Sequence, residues 1–179
     1  GAEDRLEIVA IHECASLLAP ILTKAWHNGS MPEADRAKWD ARYSVDSDDD
    51  GGLPSWLEAH DGLLPRVGRA LDVAAGAGRI SRWAAARGLS VTAVDISAVG
   101  LAKLGKAVPS ARLVVRDLEL EPVLPRGPYA LVACFHYRQP SLWPAMVAVL
   151  EAGGILVAEV MTVKNLERHT HPSHRWLAE

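Results

Sequence analysis

Apolar and polar positions change their period along the chain, and the changes outline the elements. Residues 69–74, Arg-Ala-Leu-Asp-Val-Ala, read as a buried strand that runs into glycines. Residues 79–88 predict a helix, 90–95 (Ser-Val-Thr-Ala-Val-Asp) the next strand, and 97–106 a further helix. Strands recur at 111–116, 129–135 and 154–161, with a helix over 140–151 before the last. Upstream, 32–43 predict a polar helix carrying Trp39 and Tyr43, and Pro54 opens a short helix over 54–60. Strands spaced by helices of about ten residues require right-handed crossovers and a parallel sheet covered on both faces. The fold class is therefore α/β: a three-layer, doubly wound, Rossmann-like sheet.

Two segments fall outside that rhythm. Asp46-Ser47-Asp48-Asp49-Asp50-Gly51-Gly52 is a solvated loop by composition, although its acids have the chemistry to hold a divalent cation. Residues 1–30 do not read like the start of a chain. Met31 opens Met-Pro-Glu-Ala-Asp-Arg-Ala-Lys-Trp-Asp-Ala-Arg-Tyr, and Gly29-Ser30 before it looks like a linker. Apolar stretches at 6–11 and 19–26 are candidate strands joined by a helix at 13–18, or one disguised helix. Glu3, Asp4, Glu7 and Glu13 oppose a secretory signal.

Composition narrows the setting. The 179 residues suit one domain, and 49% apolar with 23% charged residues excludes disorder and fibrous classes. A net charge of −3 marks neither a nucleic-acid nor an anionic-membrane surface. Cys14 and Cys134 are too far apart for a metal-type pair and suit a reducing cytosol. No apolar run approaches the length of about 18 residues needed to span a bilayer. The expectation is a soluble cytoplasmic domain, monomeric or homodimeric, with a small-molecule substrate.

The chemistry gathers at strand ends. Asp72-Val73-Ala74-Ala75-Gly76-Ala77-Gly78 lies where a strand feeds a helix; glycines there permit a sharp turn and close ligand approach. The following helix start offers amide donors. Asp72 lies four residues before Gly76, Asp95 closes the next strand 19 residues after Gly76, and Asp117 closes the third. Three acids at successive strand ends face the crevice where open α/β sheets bind ligands. Helix capping explains any one of them more easily than all three.

The ordered set D-V-A-A-G-A-G-R, V-T-A-V-D-I-S and V-V-R-D-L resembles the class I S-adenosylmethionine-dependent methyltransferases. Pro128 to Tyr137 is similar to their fourth strand and the substrate-facing loop after it. Leu150 to Val157 is similar to their L-x-P-G-G turn and fifth strand, with Ala152 in place of the proline. Trp39-Asp40-Ala41-Arg42-Tyr43 matches the W-D-x-R-Y segment of small bacterial members, including relatives of the tellurite-resistance methyltransferase. The resemblance implies S-adenosyl-L-methionine as cofactor. Gly76 and Gly78, with Ala74, would pass under its methionine part, and Asp72 would orient its ammonium. Asp95, beside Ile96, would hold the ribose; Asp117 and Leu118 would meet the adenine; Phe135 counts with the cofactor-binding residues, packing near the groups that follow the fourth strand. Arg42 and Tyr43 would fold over the site toward the cofactor carboxylate, unless Arg42 is an ordinary exposed helix residue. A nicotinamide enzyme is the rival within this fold, with Ser81 at the third small position of its fingerprint. The early Asp72 and the third acid, Asp117, favour adenosylmethionine.

Methyl transfer needs an aligned nucleophile, and a base only where the acceptor must lose a proton. Candidates follow the fourth strand: His136 and Tyr137 as catalytic groups, then Arg138 and Gln139. His136 is a base or simply a satisfied pocket histidine. His169-Thr170-His171-Pro172-Ser173-His174 has metal-like spacing, but Pro172 and the lack of a helix favour a lid or pocket lining, so no metal is assigned. Trp176 would close that lid or join the core. The lack of an N-P-P-Y-like motif argues against methylation of base or glutamine amino groups. The function expected is methylation of a small molecule or metalloid oxyanion; the alternative is a non-catalytic adenosylmethionine- or adenosylhomocysteine-binding module.

Family members finish with a sixth strand and an antiparallel seventh beside the fifth. Residues 31–179 carry the motifs but hold only five of these strands. We therefore expect residues 5–12 as the sixth strand and 20–27 as the seventh, in a permuted order, rather than an upstream tag.

Overall fold

The computed structural model describes residues 5–11, 32–45 and 52–167. Burial follows from the apolar runs. β5 (Tyr129–Phe135) is buried at every position, and β2 (Arg69–Val73) and β3 (Ser90–Asp95) are buried past their first residue. Such strands need cover on both faces. Alternation divides their side chains between two cores. Leu71, Val73 and Val132 join Trp143 and Met146 of α5 (Trp143–Ala148). Ala70 and Leu131 join Ile80 and Ala84 of α3 (Arg79–Ala86), and Leu101 and Leu104 of α4 (Ala98–Ala107). Leu57, on the short α2 (Ser55–Ala59), packs into the second core.

With β1 (Arg5–Ile11), β4 (Arg112–Val115) and β6 (Leu150–Met161), the six strands are ordered β1-β6-β5-β2-β3-β4. β6, β5, β2, β3 and β4 are parallel. The chain leaves β2 toward β3 on one side and returns to β5 on the other, so the switch point lies between β2 and β5. The loops after those two strands therefore face one crevice. Helix α1 (Pro32–Ser44) packs on α4 and reaches the same end.

Three expectations need correction. The helix over 140–151 is a 3₁₀ turn, Pro140–Leu142, followed by the six-residue α5. Pro140 and Pro144 restrict helical pairing, and Leu150 already pairs with Tyr129 in the sheet. β6 thus starts at Leu150 rather than 154; the expected turn is a register shift inside the strand, with Gly153 at φ 75°. The segment expected as a sixth, parallel strand runs antiparallel, directly beside β6, with Arg5 opposite Met161 and Ile11 opposite Ile155. Apolar periodicity carries no strand direction, and an antiparallel ladder is slightly the stronger one per residue. The segments 13–18 and 20–27, the acids at 46–50, the histidines at 169–174 and Trp176 lie outside the described residues.

Candidate active site

The turn after β2 is built from backbone. Ala74, Gly76 and Gly78 all have positive φ, at 58°, 55° and 86°. Only glycine takes that region without cost, so the alanine marks strain at the strand end. Asp95 holds the turn: its Oδ2 accepts from the Gly76 amide at 2.8 Å and its Oδ1 from the Ser97 amide at 2.7 Å. Burial pushes the Asp95 carboxyl up, opposed by those amides. Ile96, half-buried, lies between these anchors.

Asp72 is buried beneath the turn, and its Oδ2 accepts from the Ser81 hydroxyl at 2.7 Å. Burial pushes its carboxyl up to about 7 against the Ser81 hydrogen bonds, and the nearby Asp95 charge adds to the rise. Ser81, weighed in the sequence only as a small residue, is thus the partner of the site's key acid. A compact serine between Ile80 and Arg82 gave no sign of that pairing.

Helix α1 seats its W-D-x-R-Y segment on this turn. Asp40 accepts from the Ser97 hydroxyl, and Ser97 Oγ accepts from the Gly100 amide at 3.0 Å, capping α4. The Tyr43 hydroxyl lies so close to Gly76 that any Cβ there would overlap it, and its ring rests on Gly100. Burial, then the Asp95 charge, raises the Tyr43 phenol to about 12, so it stays a protonated donor. Arg42 is exposed, its guanidinium 5.7 Å from the centre of the Trp39 ring.

Asp117 is buried after β4, but Oδ1 turns to its own loop and accepts from Glu119 at 2.9 Å and Leu120 at 3.2 Å. Leu118 is buried, and its carbonyl accepts from the Gln139 amide at 2.9 Å. Gln139 in turn accepts from the Tyr137 hydroxyl. Burial and the charges of Glu119, Asp117 and Asp95 push the Tyr137 phenol far up, which keeps it protonated. The loop after β4 therefore meets the loop after β5 through Leu118 and Gln139. Cys134 is buried with its thiol pushed up, and donates to the Tyr137 carbonyl at 3.3 Å.

Beyond Tyr137 the crevice has a second centre. His136, at φ 58°, places Nε2 2.7 Å from Oε1 of Glu159, a residue with no solvent exposure. Oε2 of the same carboxylate accepts from the Trp56 indole N–H at 2.8 Å. Trp56 stacks on Phe135 with ring centres 5.9 Å apart and planes 12° from parallel. Neither Trp56 nor Glu159 stands out in the sequence. Glu159 interrupts the apolar run Ile155 to Val160, and an acid inside a buried strand is the one signal that marks it.

The donor set fits the implied cofactor. An ammonium and a ribose diol are donors, and two buried carboxylates with spare acceptor capacity lie at the ends of β2 and β3. Among the described residues no group of His, Cys, Asp or Glu could hold a metal ion, and no helix is long and apolar enough to cross a membrane.

Residues 70–154 match the family model of the methyltransferase domain. None of the curated proteins matches the chain in sequence. Among solved structures, an S-adenosylmethionine-dependent methyltransferase from Mesorhizobium loti is 29% identical, with a TM-score of 0.50. That match covers 61% of this chain and 54% of that one. The DhpI complex with SAM and HEP is 20% identical, covers 83% and 76% of the two chains, and has a TM-score of 0.56. N-methyltransferase NodS from Bradyrhizobium japonicum WM9, bound to S-adenosyl-L-homocysteine, is 16% identical over 74% and 76%, with a TM-score of 0.57. The last two speak to fold alone. Residues 70–154 are similar to a methyltransferase domain, and the chain carries the fold of the class I S-adenosylmethionine-dependent methyltransferases.

Proposed function

We propose that this domain methylates a small-molecule acceptor bound over the ends of β5 and β6. The observation that carries the reading is Asp72. A carboxyl buried under a glycine turn, raised to about 7 with one hydroxyl donor, is poised to ionise against an incoming ammonium. When bound, S-adenosylmethionine supplies an activated methyl group. The chain's own residues position and exclude water. Asp72 takes the ammonium, Gly76, Gly78 and Ala74 admit the methionine part, and Asp95 beside Ile96 takes the ribose. Leu118 supplies apolar cover to the adenine, with Asp117 turned partly to its loop, and Phe135 stacks on Trp56 beside the acceptor. Tyr43, clamped over Gly76, donates toward the carboxylate end, and Arg42 joins it by leaving its place on Trp39. His136 faces the acceptor, whereas Tyr137 serves the loop through Gln139.

Calorimetric titration with S-adenosylmethionine and S-adenosylhomocysteine tests the first half, and methyl transfer to a panel of phenols, amines, thiols and tellurite tests the second. Binding of both cofactors with turnover of a panel member is expected. Failure of wild-type protein to bind either would overturn the reading, and binding without turnover of any acceptor would favour a binding module.

A further inference from the structure

The contacts around Glu159 form a directed relay. Trp56 N–H can only donate, so it fixes Oε2 as an acceptor. With that carboxylate ionised, the imidazole Nε2 facing Oε1 carries the proton. The backbone reinforces the placement: the His136 amide donates to the Glu159 carbonyl at 2.7 Å, and the left-handed φ of 58° turns the ring off the strand. A histidine held there costs of order 1–3 kcal/mol, which the surrounding contacts must over-determine. The side chain of His136 is 37% exposed while that of Glu159 is wholly buried. Among the described residues Nδ1 of His136 has no hydrogen-bond partner. With Glu159 ionised, the open edge of the ring is the unprotonated one.

We propose that Glu159, seated by Trp56, is a positioning residue that makes His136 Nδ1 the proton acceptor of this site. The site would accordingly take a nucleophile that arrives protonated, a hydroxyl or an amine N–H, beside the stacked Trp56 and Phe135 rings. This rests on the methyltransferase reading. The acceptor's proton passes to Nδ1 while its electron pair bonds the methyl carbon, and the electrons of the broken C–S bond stay on sulfur. His136⁺ is then stabilised by Glu159 until solvent takes the proton.

Two measurements on the full chain test this. Long-range ¹H–¹⁵N spectra of ¹⁵N-histidine-labelled wild type, assigned with His136→Gln, are expected to show a proton on Nε2 and none on Nδ1. A proton on Nδ1 overturns the proposal and needs no variant that must fold. Carbethoxylation by diethylpyrocarbonate, read residue by residue by mass spectrometry, reports how available the Nδ1 electron pair is. Relative to exposed His60, modification of His136 should slow about fivefold in Glu159→Gln, a loss of about 1 kcal/mol, and recover in Glu159→Asp. An unchanged ratio in Glu159→Gln means that Glu159 is a structural anchor only. Calorimetry on the same samples separates the two readings: absent wild-type cofactor binding overturns the methyltransferase reading, whereas intact binding with unchanged His136 reactivity overturns this one alone.

Discussion

The two halves of the crevice are made in different ways. On the β2–β3 side, the groups that hold the site are backbone amides and glycine conformations. Asp95 is tied to the amides of Gly76 and Ser97, and Gly78 opens α3 in the left-handed region. On the β5–β6 side, the site is held by side chains from distant segments. Trp56 and Glu159 are 103 residues apart in the chain and 2.8 Å apart in the fold. A site whose ligand is fixed can be built into a local turn. One whose acceptor varies among relatives sharing a fold is more easily assembled from side chains.

Substitutions sharpen that contrast. The largest effect belongs to the backbone half. Gly78→Val forces a branched side chain into φ 86° and against Leu104, whose atoms already crowd the position. We expect a loss of about 3–5 kcal/mol in denaturant unfolding, summing strain and overpacking. A loss below 1 kcal/mol would show that the turn yields.

Asp72 comes next, through pH. Its folded-state carboxyl is raised from 3.8 to about 7, so the folded chain keeps a proton that the unfolded chain releases. Stability is therefore full below about pH 4 and declines as pH rises to about 7, by up to about 4 kcal/mol from this group. Asp72→Asn should flatten that decline in chemical unfolding followed across pH, while abolishing cofactor binding by calorimetry. Wild-type cofactor affinity should rise over the same interval, because the ammonium selects the ionised acid. A flat wild-type stability profile would contradict the burial cost.

The side-chain half should show coupling instead. Glu159→Ala leaves the Trp56 N–H and His136 Nε2 without their acceptor and should cost about 2–3 kcal/mol. Trp56→Phe should cost less, and the double variant should be non-additive by about 1 kcal/mol. Additive values would dissolve the relay. The smallest effect is at Asp40: Asp40→Ala loosens Ser97 at the start of α4 and should cost about 1 kcal/mol in thermal unfolding.

Legibility divides along the same line. The turn from Asp72 to Gly78, with Asp95 and the buried strands around them, stood out because neighbours in sequence are neighbours in the site. Ser81 carried the right residue type but no visible partner, since nine residues of turn and helix must fold before its hydroxyl meets Asp72. Arg42 and Tyr43 share a motif yet part company, one exposed over Trp39 and the other wedged on Gly76, because adjacent helix residues point about 100° apart. Tyr137 read as a catalytic group, but burial and Gln139 occupy it.

By itself, the sequence determined the parallel doubly wound sheet, its glycine turn and the acids at its strand ends, since these follow from apolar period and backbone freedom over short spans. Only the tertiary structure decided the direction of β1 beside β6, the clamping of α1 onto the turn, and the joining of Trp56, Glu159 and His136. Those depend on which distant segments the packed cores bring within hydrogen-bond reach, a quantity no local pattern encodes. The crevice thus has two kinds of wall, and the one built on Trp56, Glu159 and His136 was hidden until the chain folded.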